Sequence, residues 1–189
     1  LCGILLLAGV AQYQMGKVFF AANYGTVNTV PSLKLIYVVQ ENLLLTRVSL
    51  GNLLLTKDVN KMRDTEALIR TYRADGEQAL KDYSGLVSND KDGKMLDEEK
   101  RLFESYFNAV QGVVDAENAN KVDDAVRLRE QLIPLAVAAT KALADHIEYN
   151  IQMGNDGQKS AVETKTNAIW MSLAIGGVLI VVLGLLGYF

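Results

Sequence analysis

Apolar residues recur three and four places apart along almost the whole chain, and no alternation of strand type persists for more than a few residues. That spacing predicts an all-α protein. A first helix is expected over about Tyr24–Lys57, with Leu33, Ile36, Gln40, Leu43, Arg47, Leu50 and Leu54 on its core stripe. A second is expected over about Met62–Val87, with Ile69, Tyr72, Gly76, Leu80 and Tyr83 facing inward, and a third over about Asp97–Asn118, through Phe103, Phe107, Val110 and Val114. The run Ser88–Gly93 between them reads as a turn. A fourth helix begins near Lys121, continues through Val126, Arg129, Ile133, Ala136, Leu143 and Ile147, and meets nothing after Gly157 that would stop it. Connections near residues 58–61 and 118–121 are too short for anything but antiparallel neighbours, so the helices form an up-down-up-down four-helix bundle.

Charge divides the chain more sharply than hydropathy does. No Asp, Glu, Lys or Arg falls in residues 1–16 or 166–189, so the net charge of −3 belongs entirely to the middle. Ile169–Phe189 is 21 uncharged residues, enough at about 1.5 Å per residue to cross a hydrocarbon core of roughly 30 Å, with Trp170 and Tyr188 at its ends. LCGILLLAGVAQYQ at the other end reads as the outer part of a second span that begins before Leu1. A cleaved signal peptide would need a basic start, which these residues do not include. The expected organisation is a first membrane segment over 1–22, a bundle over 23–165 outside the membrane, and a second membrane helix over 166–189. Cys2 is the one cysteine and falls in the first of these segments, so the fold must rest on helix packing without an internal disulfide.

The first helix has only Glu41 and Arg47 as charges between Leu35 and Thr56. Beside its core stripe lies a second row, Leu35, Val39, Asn42, Thr46, Ser49 and Leu53, so the helix needs burial on more than one side. The same helix of another subunit is the simplest cover, and a homo-oligomer through the first helix is expected. A wider core inside the monomer is the alternative.

Candidate chemistry is sparse. There is one histidine, no glycine-rich phosphate loop and no metal-ligand spacing, so no enzyme activity, cofactor or nucleic-acid partner is expected. His146 sits on the apolar stripe of the fourth helix and reads as a satisfied core histidine; Met153, a heptad further on, could not share an iron with it. SNDKDGKMLDEE partly matches a calcium loop, but Ser88 stands where the first carboxylate belongs, and Asp97, Glu98 and Glu99 suit a helix start.

The arginines are more informative. Arg47 interrupts a leucine-rich seam, where an unpaired charge would be costly and an anionic partner is expected. Arg47 lies 12 residues before position 59 and Thr71 lies 12 after it, so both stand about 18 Å from the first hairpin turn. Arg70, Tyr72 and Arg73 crowd the same level, Arg129 is on a stripe position near the other distal turn, and Arg101 sits somewhat lower. Guanidinium forks with a hydroxyl and an aromatic suit a small carboxylate, such as an organic acid or amino acid. Salt bridges to Glu66, Glu104 or Glu130 are the alternative. Pro134 inside the fourth helix could open a groove beside this level.

Span, bundle, span, with LTRVSLGNLLLTKD on the first helix and ALIRTYRADGEQALKDY on the second, resembles the sensor module of methyl-accepting chemotaxis receptors that have a four-helix-bundle ligand-binding domain. The resemblance implies a periplasmic domain on the bacterial inner membrane, an oligomer built on the first helix, and amino acids or organic acids as ligands. It also implies cytoplasmic signalling partners, reached through segments beyond Phe189. Aspartate-binding members hold their ligand with arginines of the first helix and a threonine of the fourth. Here Arg47 matches the first part, whereas Thr140 lies too far from the distal tip, and Thr71 with its neighbouring arginines stands in its place. Membrane histidine kinases can use the same kind of module, and a structural or adaptor bundle that binds protein is the competing class.

Overall fold

The structure is a computed structural model that describes residues 2–188; the side chains of residues 1–7, 183, 186, 188 and 189 lie outside the described set. All its regular elements are helical: α1 (Cys2–Tyr24), a π-helical segment (Gly25–Thr29), α2 (Val30–Leu55), α3 (Val59–Tyr83), α4 (Asp90–Asn118) and α5 (Val122–Tyr188). The chain divides into two compact units, one of Pro31–Asn150 and one of Leu1–Val30 with Ile151–Phe189.

The first unit is the expected four-helix bundle, made of α2, α3, α4 and the leading part of α5. Its core takes Ile36, Leu43, Leu50 and Leu53 from α2, Ile69 and Leu80 from α3, Phe103, Phe107 and Val110 from α4, and Leu132 and Leu143 from α5. Aromatic rings organise the α4 face: Phe103 and Phe107 lie 4.6 Å apart, and Tyr106 meets Phe107 edge-on at 5.4 Å. Local capping sets two of the helix starts. Asp58 accepts from the amides of Asn60 (2.9 Å) and Lys61 (3.4 Å) ahead of α3, and Asn89 accepts from Lys91 (3.0 Å) and Asp92 (3.1 Å) ahead of α4.

Three expectations need correction here. The third helix begins at Asp90, not near Asp97, because Asn89 caps it and Asp90–Gly93 is its first turn. The second row of the first helix is not left over for a partner: Val39, Asn42, Thr46, Ser49 and Leu53 are buried inside the bundle. Its polar members are tolerable there because the Asn42 amide donates to the Val38 carbonyl and the Thr46 hydroxyl to the Asn42 carbonyl. The core stripe is thus broader and rotated, and it turns Arg47 outward to solvent. The Arg47 charge therefore bears no burial cost that demands an internal anion. Pro134 is also exposed, and α5 remains helical through it.

In the second unit, α1 and the π segment meet the part of α5 that follows Ile151. Thr29 is buried, and a Cβ on Gly154 would lie 3.0 Å from its hydroxyl oxygen, so glycine leaves room for the threonine side chain against α5. Tyr24 directs its hydroxyl at the Met153 sulfur, 3.7 Å away. Among the described residues, α5 is long and apolar enough to cross a membrane, and Trp170, Leu173, Ile180 and Val181 on it are all exposed. Of the expected first segment, Phe19 and Phe20 are exposed, whereas Cys2 falls outside the described side chains.

Candidate functional site

Of the seven residues the sequence singles out, the bundle brings two together. Arg47 of α2 and Arg129 of α5 line one cleft of about 150 Å³, with Tyr106 of α4 between them. Leu50, Leu132, Ile133 and Ala136 form its apolar walls, and Glu130 also lines it, leaving one net positive charge from the two arginines. Tyr106 is fully buried, and its hydroxyl has no hydrogen-bond partner among the described residues. Burial pushes the phenol up to about 12, against the pull of the Arg47 and Arg129 charges, so it stays a neutral donor. Neither arginine has an ion pair among the described residues. Two free guanidinium groups and an unsatisfied hydroxyl thus converge from three helices.

The other five lie elsewhere. Arg70 pairs with Glu66 at 3.8 Å on the surface of α3, one of the internal partners the sequence allowed. The Thr71 hydroxyl is turned back to the Ala67 carbonyl (3.1 Å), and Tyr72 is half-buried on the same helix. Arg73 reaches Glu77 at 2.8 Å and lies 6.0 Å over the Phe107 ring, in a groove between α3 and α4 that Lys100 and Glu104 also line. Arg101 makes a two-pronged contact with Glu98 at 2.8 and 2.6 Å on the outside of α4. Equal distance from a turn fixes a level along the bundle but carries no information on azimuth, and azimuth is what separates these residues from the cleft. The same counting could have found Tyr106: it lies 14 residues before Asn120, about 21 Å from that turn and within a helical turn of the Arg47 level.

A larger hollow of about 660 Å³ opens at the distal end between the α2–α3 and α4–α5 connections. Its Lys57 and Arg63 are matched by Glu66 and Glu117, so an entering carboxylate would find no net attraction there.

A second polar group lies inside the bundle. His146 is fully buried, with Nε2 2.7 Å from Asp92 Oδ1 and Nδ1 2.9 Å from Glu99 Oε1. The Tyr83 hydroxyl donates to Asp92 Oδ1 (2.8 Å), Asn150 donates to Tyr83 (2.7 Å), and the Ser88 amide donates to Asp92 Oδ2 (2.7 Å). The core histidine is satisfied, as expected. Asp92 and Glu99, two carboxylates of the partial calcium motif, point into the bundle and are committed to the imidazole.

Comparison with known proteins agrees with this architecture. No curated protein matches the chain. A family model described as a four helix bundle sensory module for signal transduction matches residues 4–165. The match runs through all four bundle helices and most of the chain, so the protein belongs to the four-helix-bundle sensory modules of signal transduction, the sensor type found in methyl-accepting chemotaxis receptors.

Proposed function

We propose that this sensory module binds a small carboxylate, an organic acid or an amino acid, in the cleft of Arg47, Tyr106 and Arg129, and that it acts by binding, without catalysis. The carrying observation is the convergence of two unpaired guanidinium groups on a buried hydroxyl that has no partner. A carboxylate would take bidentate bonds from the arginines, and its remaining polar group would satisfy the phenol. The apolar walls suit a short carbon chain. A volume of about 150 Å³ equals roughly five waters at about 30 Å³ each, which favours a ligand of few heavy atoms.

In this reading the bundle faces the periplasm of a bacterial cell, held in the inner membrane by α1 and the apolar end of α5. Arg129 and the apolar end share α5, so a ligand that displaces this helix by about 1–2 Å would be felt beyond the membrane. Binding must differ between two arrangements of the helices for any signal to pass. Two copies associate through the solvent face of α2.

Calorimetric titration of the chain in lipid nanodiscs with a panel of organic acids and amino acids tests the site. We expect heat for at least one short carboxylate, loss of that heat in Arg47→Ala, and about tenfold weaker binding in Tyr106→Phe. The phenylalanine variant should not lose stability in the ligand-free state, because it removes a buried group that has no partner. Heat unchanged in Arg47→Ala would place the ligand elsewhere. A protein-binding adaptor would show no ligand-dependent rise in melting temperature, whereas a sensor at 100 times its Kd gains about 2.7 kcal/mol.

A further inference from the structure

The His146 cluster holds together three helices that the carboxylate cleft does not use in the same way. His146 and Asn150 come from α5, Asp92 and Glu99 from α4, and Tyr83 from α3. All five are buried, and none lines the Arg47 cleft. We propose that the Asp92–His146–Glu99 cluster is a proton-binding site through which the bundle responds to the pH of the medium, independently of any small-molecule ligand.

The geometry dictates how many protons the cluster must hold. Each ring nitrogen faces a carboxylate oxygen at hydrogen-bond distance, 2.7 Å on one side and 2.9 Å on the other. Each of those contacts needs one hydrogen between the two heavy atoms. An imidazolium ion supplies both. With one proton fewer, a bare Nδ1 would set its lone pair against the Glu99 carboxylate, whereas a bare Nε2 could take the hydrogen of the Tyr83 hydroxyl, 2.9 Å away, only by removing it from Asp92. The proton departs to solvent, and either way Asp92 or Glu99 loses a hydrogen bond that ties α4 to its neighbours, which favours a separation of α5 from α4.

Among the described residues, no other charge stands ready to replace it. From α3 the titratable group facing the imidazole is Tyr83, held neutral well above its usual range by burial. From α4 they are Asp92 and Glu99 themselves, and from α2 the buried, uncharged Ser32 stands beside the Tyr83 hydroxyl. Burial works to lower the His146 value, but the bonds to Asp92 and Glu99 outweigh it and raise it to about 9. Glu99 moves the same way, because burial raises it and the imidazolium offsets this only in part. Its second oxygen, Oε2, is buried without a partner, which leaves it able to accept a further proton in acid. Two changes of proton count are thus open to the cluster, loss from the imidazole on the alkaline side and gain at Glu99 on the acid side.

The chain has one histidine, so the experiment is direct. The full chain in lipid nanodiscs, labelled with 13C at the histidine Cε1, gives one resonance whose pH titration belongs to His146. Spin labels on Asp97→Cys of α4 and Ala144→Cys of α5, with Cys2→Ser, report the separation of the two helices. We expect a titration midpoint at least one pH unit above the ordinary 6.5 and a change of label distance with the same midpoint. Glu99→Gln replaces a carboxylate by an amide that can donate to or accept from the ring, so it should bring the midpoint back toward 6.5 and abolish the distance change. Asp92→Asn serves the same purpose if the first variant does not fold by circular dichroism. A wild-type midpoint near 6.5 overturns the proposal. So does a raised midpoint across which the label distance stays constant, or a distance change that survives in the amide variant.

Discussion

His146 makes the stability of the bundle depend on pH through one buried side chain. Its value is raised from 6.5 to about 9 in the folded chain, so the contribution is complete below pH 6.5 and is lost as pH rises through about 9. Glu99, also raised, acts in the same sense from a lower starting point, with stability lost as pH rises above the ordinary carboxylate range. Asp92 acts oppositely. Bonds from His146, the Ser88 amide and Tyr83 outweigh its own burial and hold its carboxyl low, so its contribution disappears only in strong acid. Melting temperatures measured between pH 6 and 10 should therefore fall, chiefly across pH 6.5–9. The scale is at most on the order of 3 kcal/mol, since a tenfold change in proton affinity corresponds to about 1.4 kcal/mol. In His146→Gln that slope should vanish; the same slope in the variant would assign it to other groups.

At the scale of elements, the close approach of α3 and α4 rests on Gly76. A Cβ there would overlap Cζ of Phe103, too close for the ring to remain where it packs on Phe107. Two effects compete in Gly76→Ala. Helix propensity favours alanine by about 0.8–1 kcal/mol, whereas forcing extra volume into a packed core costs about 1–3 kcal/mol. Overpacking should win, giving a lower denaturation midpoint, and Phe103→Leu in the same chain should restore part of the loss by making room. An alanine variant as stable as the parent would mean the ring moves freely.

These elements also show what periodicity can and cannot disclose. Helix number, order and antiparallel connection were legible, because long three-four spacing and short loops leave few alternatives. The start of α4 was not: Asp90, Lys91, Asp92 and Gly93 have turn-like side chains, and only the placement of the Asn89 cap and the inward Asp92 reveals a helix. The azimuth of α2 was misread for a related reason. Asn42, Thr46 and Ser49 are polar in composition but satisfied on their own helix or small enough to bury, so the core runs along them and Arg47 turns outward. The carboxylate site was half legible. Arg47 and Arg129 converge, but Tyr106 was hidden among core aromatics, and Arg70, Thr71, Tyr72, Arg73 and Arg101 lie at other azimuths.

For the whole molecule, rotating the core of α2 changes how copies would associate. With Val39, Thr46 and Leu53 inside, Tyr37, Leu44, Val48 and Leu55 are left 51–85% exposed. They are spaced seven, four and seven residues apart, and Glu41 and Gly51 complete a continuous heptad seam. Such a seam about 27 Å long fits a second α2 laid along it, since coiled-coil packing accepts the same stripe from both partners. A stable pair needs roughly 1,200–2,000 Å² of buried surface, so neighbouring faces must join the seam. With Cys2→Ser, a single cysteine at Leu44 or Val48 should cross-link between copies in nanodiscs, whereas one at Thr46, which has no exposed surface, should not. Leu44→Glu with Val48→Glu should leave single copies that stay folded, because both side chains already face solvent within one chain, with a melting temperature that no longer depends on protein concentration. Cross-linking at Thr46 and not at Val48 would restore the row that the sequence favoured and reverse this assignment of faces. Arg47 adjoins Val48 on this seam, so a cleft that opens beside it would be narrowed by the second copy. Ligand affinity should then fall when the double glutamate variant separates the copies, and affinity that is identical in both forms would place the cleft within one copy alone.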